Sequence, residues 1–243
     1  MKPINTVVVE FLGLPGAGKT TLAESLSELL VSKGKVVATR KEINQWSVQV
    51  GIMRKLFLVL KQSLSIGYYF YHTFRFLTTL NPLGKGIGKR VLRTPLIDIY
   101  QNEFIKDRKY NWTLLDQGSL QNLWSMAAFS KSIEYKSLKT IFNVVMQGNS
   151  YQHVYVYLDS SPELVGTRVM KRSHGESRFD NMTSVSMTES LRNSNTVMCR
   201  LAELLSLSGK RVLILDAKSS IDENTKRIFD FIVAEDPSYR TES

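Results

Sequence analysis

The sequence predicts an α/β protein: a doubly wound, five-stranded parallel sheet with helices on both faces. Three observations predict it. Five short runs, Val7–Leu12, Lys35–Thr39, Trp112–Asp116, His153–Leu158 and Arg211–Asp216, are rich in Val, Ile, Leu and Tyr. Their nearly continuous apolarity is that of strands buried on both faces. Helical patterns separate them, and strand–helix alternation implies parallel pairing. The first run leads through a Gly-rich stretch directly into a helical pattern. Ligands of such sheets sit beyond the C-terminal strand ends, where strand order switches. Gly13, Asp116, Asp159 and Asp216 fall at such ends.

The first strand runs into Gly13-Leu14-Pro15-Gly16-Ala17-Gly18-Lys19-Thr20. This fits G-x-x-x-x-G-K-[ST], a phosphate-binding loop, and the strand before it and helix after it are the context the motif needs. Glycines let the backbone wrap closely around an anion. Successive N–H groups then face phosphate oxygens, helped by the positive end of the helix that follows. Lys19 supplies a charge for the β/γ-phosphates and Thr20 a hydroxyl for Mg²⁺. The nucleotide contacts expected here are Gly13, Pro15, Gly16, Ala17, Gly18, Lys19, Thr20 and Thr21. The helix Thr21–Val31 carries Leu22, Leu26, Leu29 and Leu30 on one face, and Lys33-Gly34 stops it.

The block from Trp46 to Asn111 differs from its flanks. Between Arg54 and Lys109 there are eleven Lys/Arg against three Asp/Glu, a net +8 within a chain of net +10. Twelve of the 24 aromatic residues lie between Trp46 and Trp112. The block reads as two or more helices, Ile52–Leu60 and Leu64–Leu80 among them, inserted at 46–111. Asn81-Pro82-Leu83-Gly84 breaks the pattern. Gly84, Gly86 and Gly88 with Lys85, Lys89, Arg90 and Arg93 then read as a flexible basic loop. The aromatic residues read first as core of this helical subdomain.

Asp116 ends the third strand. A carboxylate there holds Mg²⁺ or acts as general base toward an acceptor hydroxyl. After the fourth strand, Asp159-Ser160-Ser161-Pro162-Glu163 opens a helix with polar caps and an early proline. Arg168, Lys171 and Arg172 follow on nearly one face, and Arg178 lies in the polar stretch beyond. Guanidinium groups that close over transferring phosphate oxygens make this segment, 159–182, a candidate lid. His174 reads as a surface residue. A helix Thr188–Leu207 is patterned by Leu191, Met198, Leu201 and Leu205 and stopped by Ser208-Gly209. Cys199, the single cysteine, reads as a small core residue and allows no internal disulfide, which suits a reducing, cytoplasmic setting. After the last strand, Ala217 and Lys218 offer backbone contact to a purine.

These places together resemble the P-loop kinases related to thymidylate, adenylate and deoxynucleoside kinases. Residues 13–21 look like their first motif and Asp116 like the acid of their Asp-Arg pair. The segment from Arg168 to Arg178 looks like their lid, and Leu213–Ala217 like their last strand. The resemblance covers roughly 4–45, 110–180 and 205–235. It implies strand order 2-3-1-4-5, Arg168 stacked on adenine, and Arg172 and Arg178 at the phosphates. Gln117 departs from the group's arginine, and an uncharged amide cannot form its bidentate fork. Asp116-Gln117-Gly118 resembles a bacterial kinase-like branch without an assigned substrate.

The 243 residues, 43% apolar and 22% charged, suit one soluble domain, 1–243, with an ample core. The sequence-level expectation is an ATP- and Mg²⁺-dependent phosphotransferase acting on a small-molecule acceptor. Lys19, Asp116, Arg168, Arg172 and Arg178 carry the chemistry, and Thr20 and Asp116 the metal. A nucleotide-driven switch is the alternative, but Asn-Lys-x-Asp and Ser-Gly-Gly signatures are absent. A basic membrane-surface or nucleic-acid binder is the third reading; no nucleic-acid motif accompanies the charge.

Overall fold

A computed structural model of the chain describes residues 6–50, 57, 63–80, 87–107, 110–128, 133–147, 151–171 and 184–234. Five strands form one sheet: β1 Val7–Gly13, β2 Val37–Ala38, β3 Trp112–Leu115, β4 Gln152–Asp159 and β5 Arg211–Asp216. All neighbours pair in parallel in the order β2-β3-β1-β4-β5. The second strand is shorter than its apolar run, two residues against the predicted Lys35–Thr39. Thr39 is withdrawn from it as the N-cap of α2 (Arg40–Gln49), in a capping box with Glu42.

The inner strands are buried on both faces. Val9 and Phe11 face a layer made by α1 (Lys19–Ser32) and the C-terminal helix Ile221–Val233, through Leu22, Leu26, Leu30, Ile228 and Ile232. Leu12 faces the opposite layer. That layer is built from α3 (Ser63–Leu80), α5 (Ser119–Ala127), α6 (Tyr135–Gln147) and α8 (Ser184–Leu207). A third cluster packs Val8, Ala38 and Leu115 against Ile43 and Trp46 of α2 and Phe104 and Ile105 of α4 (Ile87–Asp107). The remaining helices are α7 (Pro162–Lys171) and α9, the C-terminal helix already given.

The insertion is helical as expected, with two corrections, and a third falls on Cys199. Gly88, Lys89, Arg90 and Arg93, predicted as a flexible loop, belong to α4. Not all the aromatics are core: Phe76 and Phe104 are buried, but Tyr68, Tyr71 and Phe74 are more than half exposed. Cys199 is exposed rather than core, with its sulfur 4.0 Å from the Tyr157 hydroxyl. It lies on α8 between Met198 and Leu201, which take the buried stripe. Most of the predicted helix Ile52–Leu60, the break Asn81–Gly84, and Lys85 and Gly86 lie outside the described residues. Among the described residues, no helix is long and apolar enough to cross a membrane.

Candidate functional site

Gly13, Asp159 and Asp216 end their strands, and Asp116 follows the last residue of β3. The loop after β1 turns through Gly16 (φ 86°) and Gly18 (φ 103°), backbone conformations that a Cβ disfavours. Gly18 is the N-cap of α1. No side chain caps that end, and no acidic residue lies in its first turn. A helix start of this kind is open to an anion.

Lys19 reaches back across the loop. Its Nζ donates to the carbonyls of Gly13 and Leu14 at 2.8 and 2.9 Å. Thr20 Oγ1 donates to Asp116 Oδ2 at 2.8 Å. The other carboxylate oxygen, Oδ1, is buried with no hydrogen-bond partner. Arg40 Nη1 lies 3.8 Å from Oδ2, with its own side chain about half exposed. A hydroxyl beside a carboxylate with an unused oxygen is a donor set for a hard divalent cation. Among the described residues no three His, Cys, Asp or Glu cluster. Two protein oxygens are the sparse ligation magnesium accepts, since it keeps waters and takes phosphate oxygens.

At the other side of the loop lies a cavity of about 360 Å³. Gly16, Ala17, Gly18 and Thr21 form one wall, and Ala217, Ser219, Ser220 and Asn224 another. Arg168 spans the two. Its guanidinium donates to the Ala17 carbonyl at 3.3 Å and the Ala217 carbonyl at 2.9 Å. The β5–α9 connection is itself braced, with Asn224 Nδ2 donating to the Asp216 carbonyl at 2.9 Å. Lys218 is exposed and contributes no wall to the cavity; its N–H donates to Asp216 Oδ1 at 2.8 Å.

Beneath the loop sits a buried acidic network. Glu10, in the middle of β1, is fully buried. Its Oε1 accepts the N–H groups of Leu120 (2.7 Å) and Gln121 (3.3 Å) at the start of α5, and its Oε2 has no hydrogen-bond partner. The Gln121 side chain in turn accepts the N–H of Gly13 at 3.3 Å. Asp98 of α4 accepts hydroxyl bonds from Tyr69 of α3 and from Ser119, the latter at 2.9 Å. Burial pushes the Glu10 carboxyl up to about 8, and the nearby Asp98 charge adds to it against the lowering effect of the Leu120 amide. Burial also pushes Asp98 up to about 6, opposed by its bonds from Tyr69 and Ser119. The network joins α3 and α4 to the base of the Gly-rich loop.

Of the residues singled out in the sequence, the structure brings Lys19, Thr20 and Asp116 together and sets Arg168 and Ala217 at the cavity. Arg172, His174 and Arg178 lie outside the described residues. Lys171, predicted to share a face with Arg168, is exposed while Arg168 is half-buried against the loop. Sequence reasoning missed Arg40, Gln121 and Glu10. Arg40 sits just beyond the end of β2, the same kind of position as Asp116, and that placement is its signal. Glu10 is legible as a charge inside an apolar run. Nothing in the sequence points to Gln121. No protein-family model matches the chain, and no curated protein matches it in sequence.

Proposed function

We propose that the chain is an ATP-dependent phosphotransferase of P-loop kinase type, passing the γ-phosphate to a hydroxyl or phosphate of a small molecule. One observation carries the reading. The Thr20–Asp116 hydrogen bond joins two residues 96 positions apart that the motif logic pairs at one cation. The open start of α1, the Lys19 ammonium and the Arg168-braced cavity support it.

In this reading the amides of 13–20 cradle the β- and γ-phosphates, and Lys19 exchanges the carbonyls of Gly13 and Leu14 for phosphate oxygens. Arg168 covers the purine in the cavity beside Ala217. Thr20 Oγ1 and Asp116 would hold magnesium, which would supply charge neutralisation at the phosphate oxygens. The acceptor oxygen attacks the γ-phosphorus, the bond to the β,γ-bridging oxygen breaks, and ADP leaves. Where the acceptor is a hydroxyl, its proton goes to Asp116 or to solvent. Arg40 supplies beside Asp116 the positive charge that Gln117 lacks. Arg172 and Arg178 close over the phosphates as a lid. A reaction drawing on ATP fits the cytoplasm.

The test is titration calorimetry of ATP with Mg²⁺, followed by an ADP-release screen across nucleosides, nucleotides, sugars and sugar-lipids. Binding that is lost in Lys19→Ala/Thr20→Ala, with release stimulated by one acceptor class, is the expected result. Unchanged binding in the double variant overturns the nucleotide site. Binding and hydrolysis that no acceptor stimulates reassign the chain as a nucleotide-driven switch.

A further inference from the structure

The insertion helix α3 presents two neighbouring features that the kinase reading does not use. The first is an exposed aromatic face. Tyr68, Tyr71 and Phe74 are 51, 56 and 53% exposed, within two turns of one helix whose opposite side packs Phe76 and Leu77 into the core. Single exposed apolar residues are ordinary. Three rings on one side of one helix form a patch, and such patches mark contact surfaces.

The second feature is a cleft of about 430 Å³ between α3 and α6. Its lining includes the buried residues Phe76 and Ile141. Arg75, Lys136 and His72 line it as well, and Arg75 and Lys136 form no ion pair among the described residues. Among the described residues that line it the acid is Glu134, which accepts the Ser137 hydroxyl at 3.0 Å. The two features touch: His72 packs against the ring of Tyr68 (centroids 4.3 Å apart) and edge-on to Tyr71 (5.1 Å).

A cationic cleft with an apolar floor, bordered by exposed tyrosine and phenylalanine, is complementary to an anionic headgroup with acyl chains beside it. Aromatic rings settle at the headgroup level of a bilayer, apolar body inward and polar tip wet. The stretch of sequence to which α3 belongs carries a net +8 over residues 54–109, the sign an anionic leaflet attracts. We propose that the α3–α6 face is a peripheral membrane-docking surface. In it the cleft takes the phosphate headgroup of an anionic lipid while Tyr68, Tyr71 and Phe74 enter the interface. This does not depend on nucleotide binding.

The experiment is co-sedimentation of the full chain with vesicles of phosphatidylcholine alone or mixed with phosphatidylglycerol, at low and physiological salt. Binding should require phosphatidylglycerol and weaken with salt. Arg75→Gln and Lys136→Gln should each cost about fivefold in partitioning. Tyr71→Ser/Phe74→Ser should cost about tenfold or more. These side chains are exposed, so circular dichroism should show the variants folded. Lys19→Ala should bind the same vesicles as the unaltered chain, which separates this surface from the nucleotide site. Absence of binding, or equal binding to phosphatidylcholine alone, overturns the proposal. So does full binding by the aromatic variant while the charge variants fail; with competition by glycerol phosphate, that result assigns the cleft to a free phosphate ester.

Discussion

Glu10→Gln is the sharpest probe of how the sheet supports the site. Glutamine keeps the oxygen that accepts the amides of Leu120 and Gln121 but cannot ionise. In the native chain the carboxyl is raised from 4.5 to about 8 by burial. The sign follows from linkage. A raised carboxyl holds its proton in the folded state after the unfolded chain has released it. The stability is therefore full below 4.5 and is lost as pH rises through about 8. Among the described residues, two other buried groups titrate lower. Asp98, raised from 3.8 to about 6, acts with the same sign. His153, lowered from 6.5 to about 4 by burial and the Lys210 charge, acts with the opposite sign, its stability lost on acidification. Above about pH 6.5 Glu10 is left to dominate. Between about pH 6.5 and about pH 8.5 the unaltered chain should lose about 2 kcal/mol through this group. For a chain of this size that is a fall of about 4–8 °C in Tm. Thermal and urea unfolding across that range measure it. The Glu10→Gln chain should show a nearly flat profile there. Parallel profiles for the two chains would mean that Glu10 ionises in place without penalty, and the buried-proton argument fails.

Three further outcomes follow from the same geometry. Gly118→Ala places a Cβ 2.6 Å from Glu10 Cγ and Oε1, inside a packed core, and should cost about 3 kcal/mol in urea unfolding; native-like stability would refute the close approach. Arg168→Ala removes the bonds to the Ala17 and Ala217 carbonyls and should weaken ATP about tenfold by calorimetry with little loss of Tm; unchanged affinity would strip Arg168 of its proposed role over the purine. Asp116→Asn keeps an acceptor for Thr20 Oγ1 but no charge. It should cut acceptor-dependent ADP release by about a hundredfold or more and raise the magnesium needed, and an unchanged rate would strip Asp116 of both proposed roles.

What was legible in the sequence is what local chemistry decides. The apolar runs and their helical separators foretold the parallel sheet, because strands buried on both faces have no polar side to alternate. The glycines at 16 and 18 foretold the turn, because their positive φ values belong to residues without a Cβ. The meeting of Thr20 with Asp116 is of another kind. Strand β3 stops at Leu115, opposite Glu10, while β1 runs on to Gly13. Asp116 thus leaves the sheet before the loop turns, and the start of α1 comes back to meet it. That register, the folding of Arg168 onto Ala17 and Ala217, and the burial of Glu10 under α5 are pairings between distant segments. They arise only when helices and strands pack, because burial and reach are properties of the assembled layers and not of neighbours along the chain.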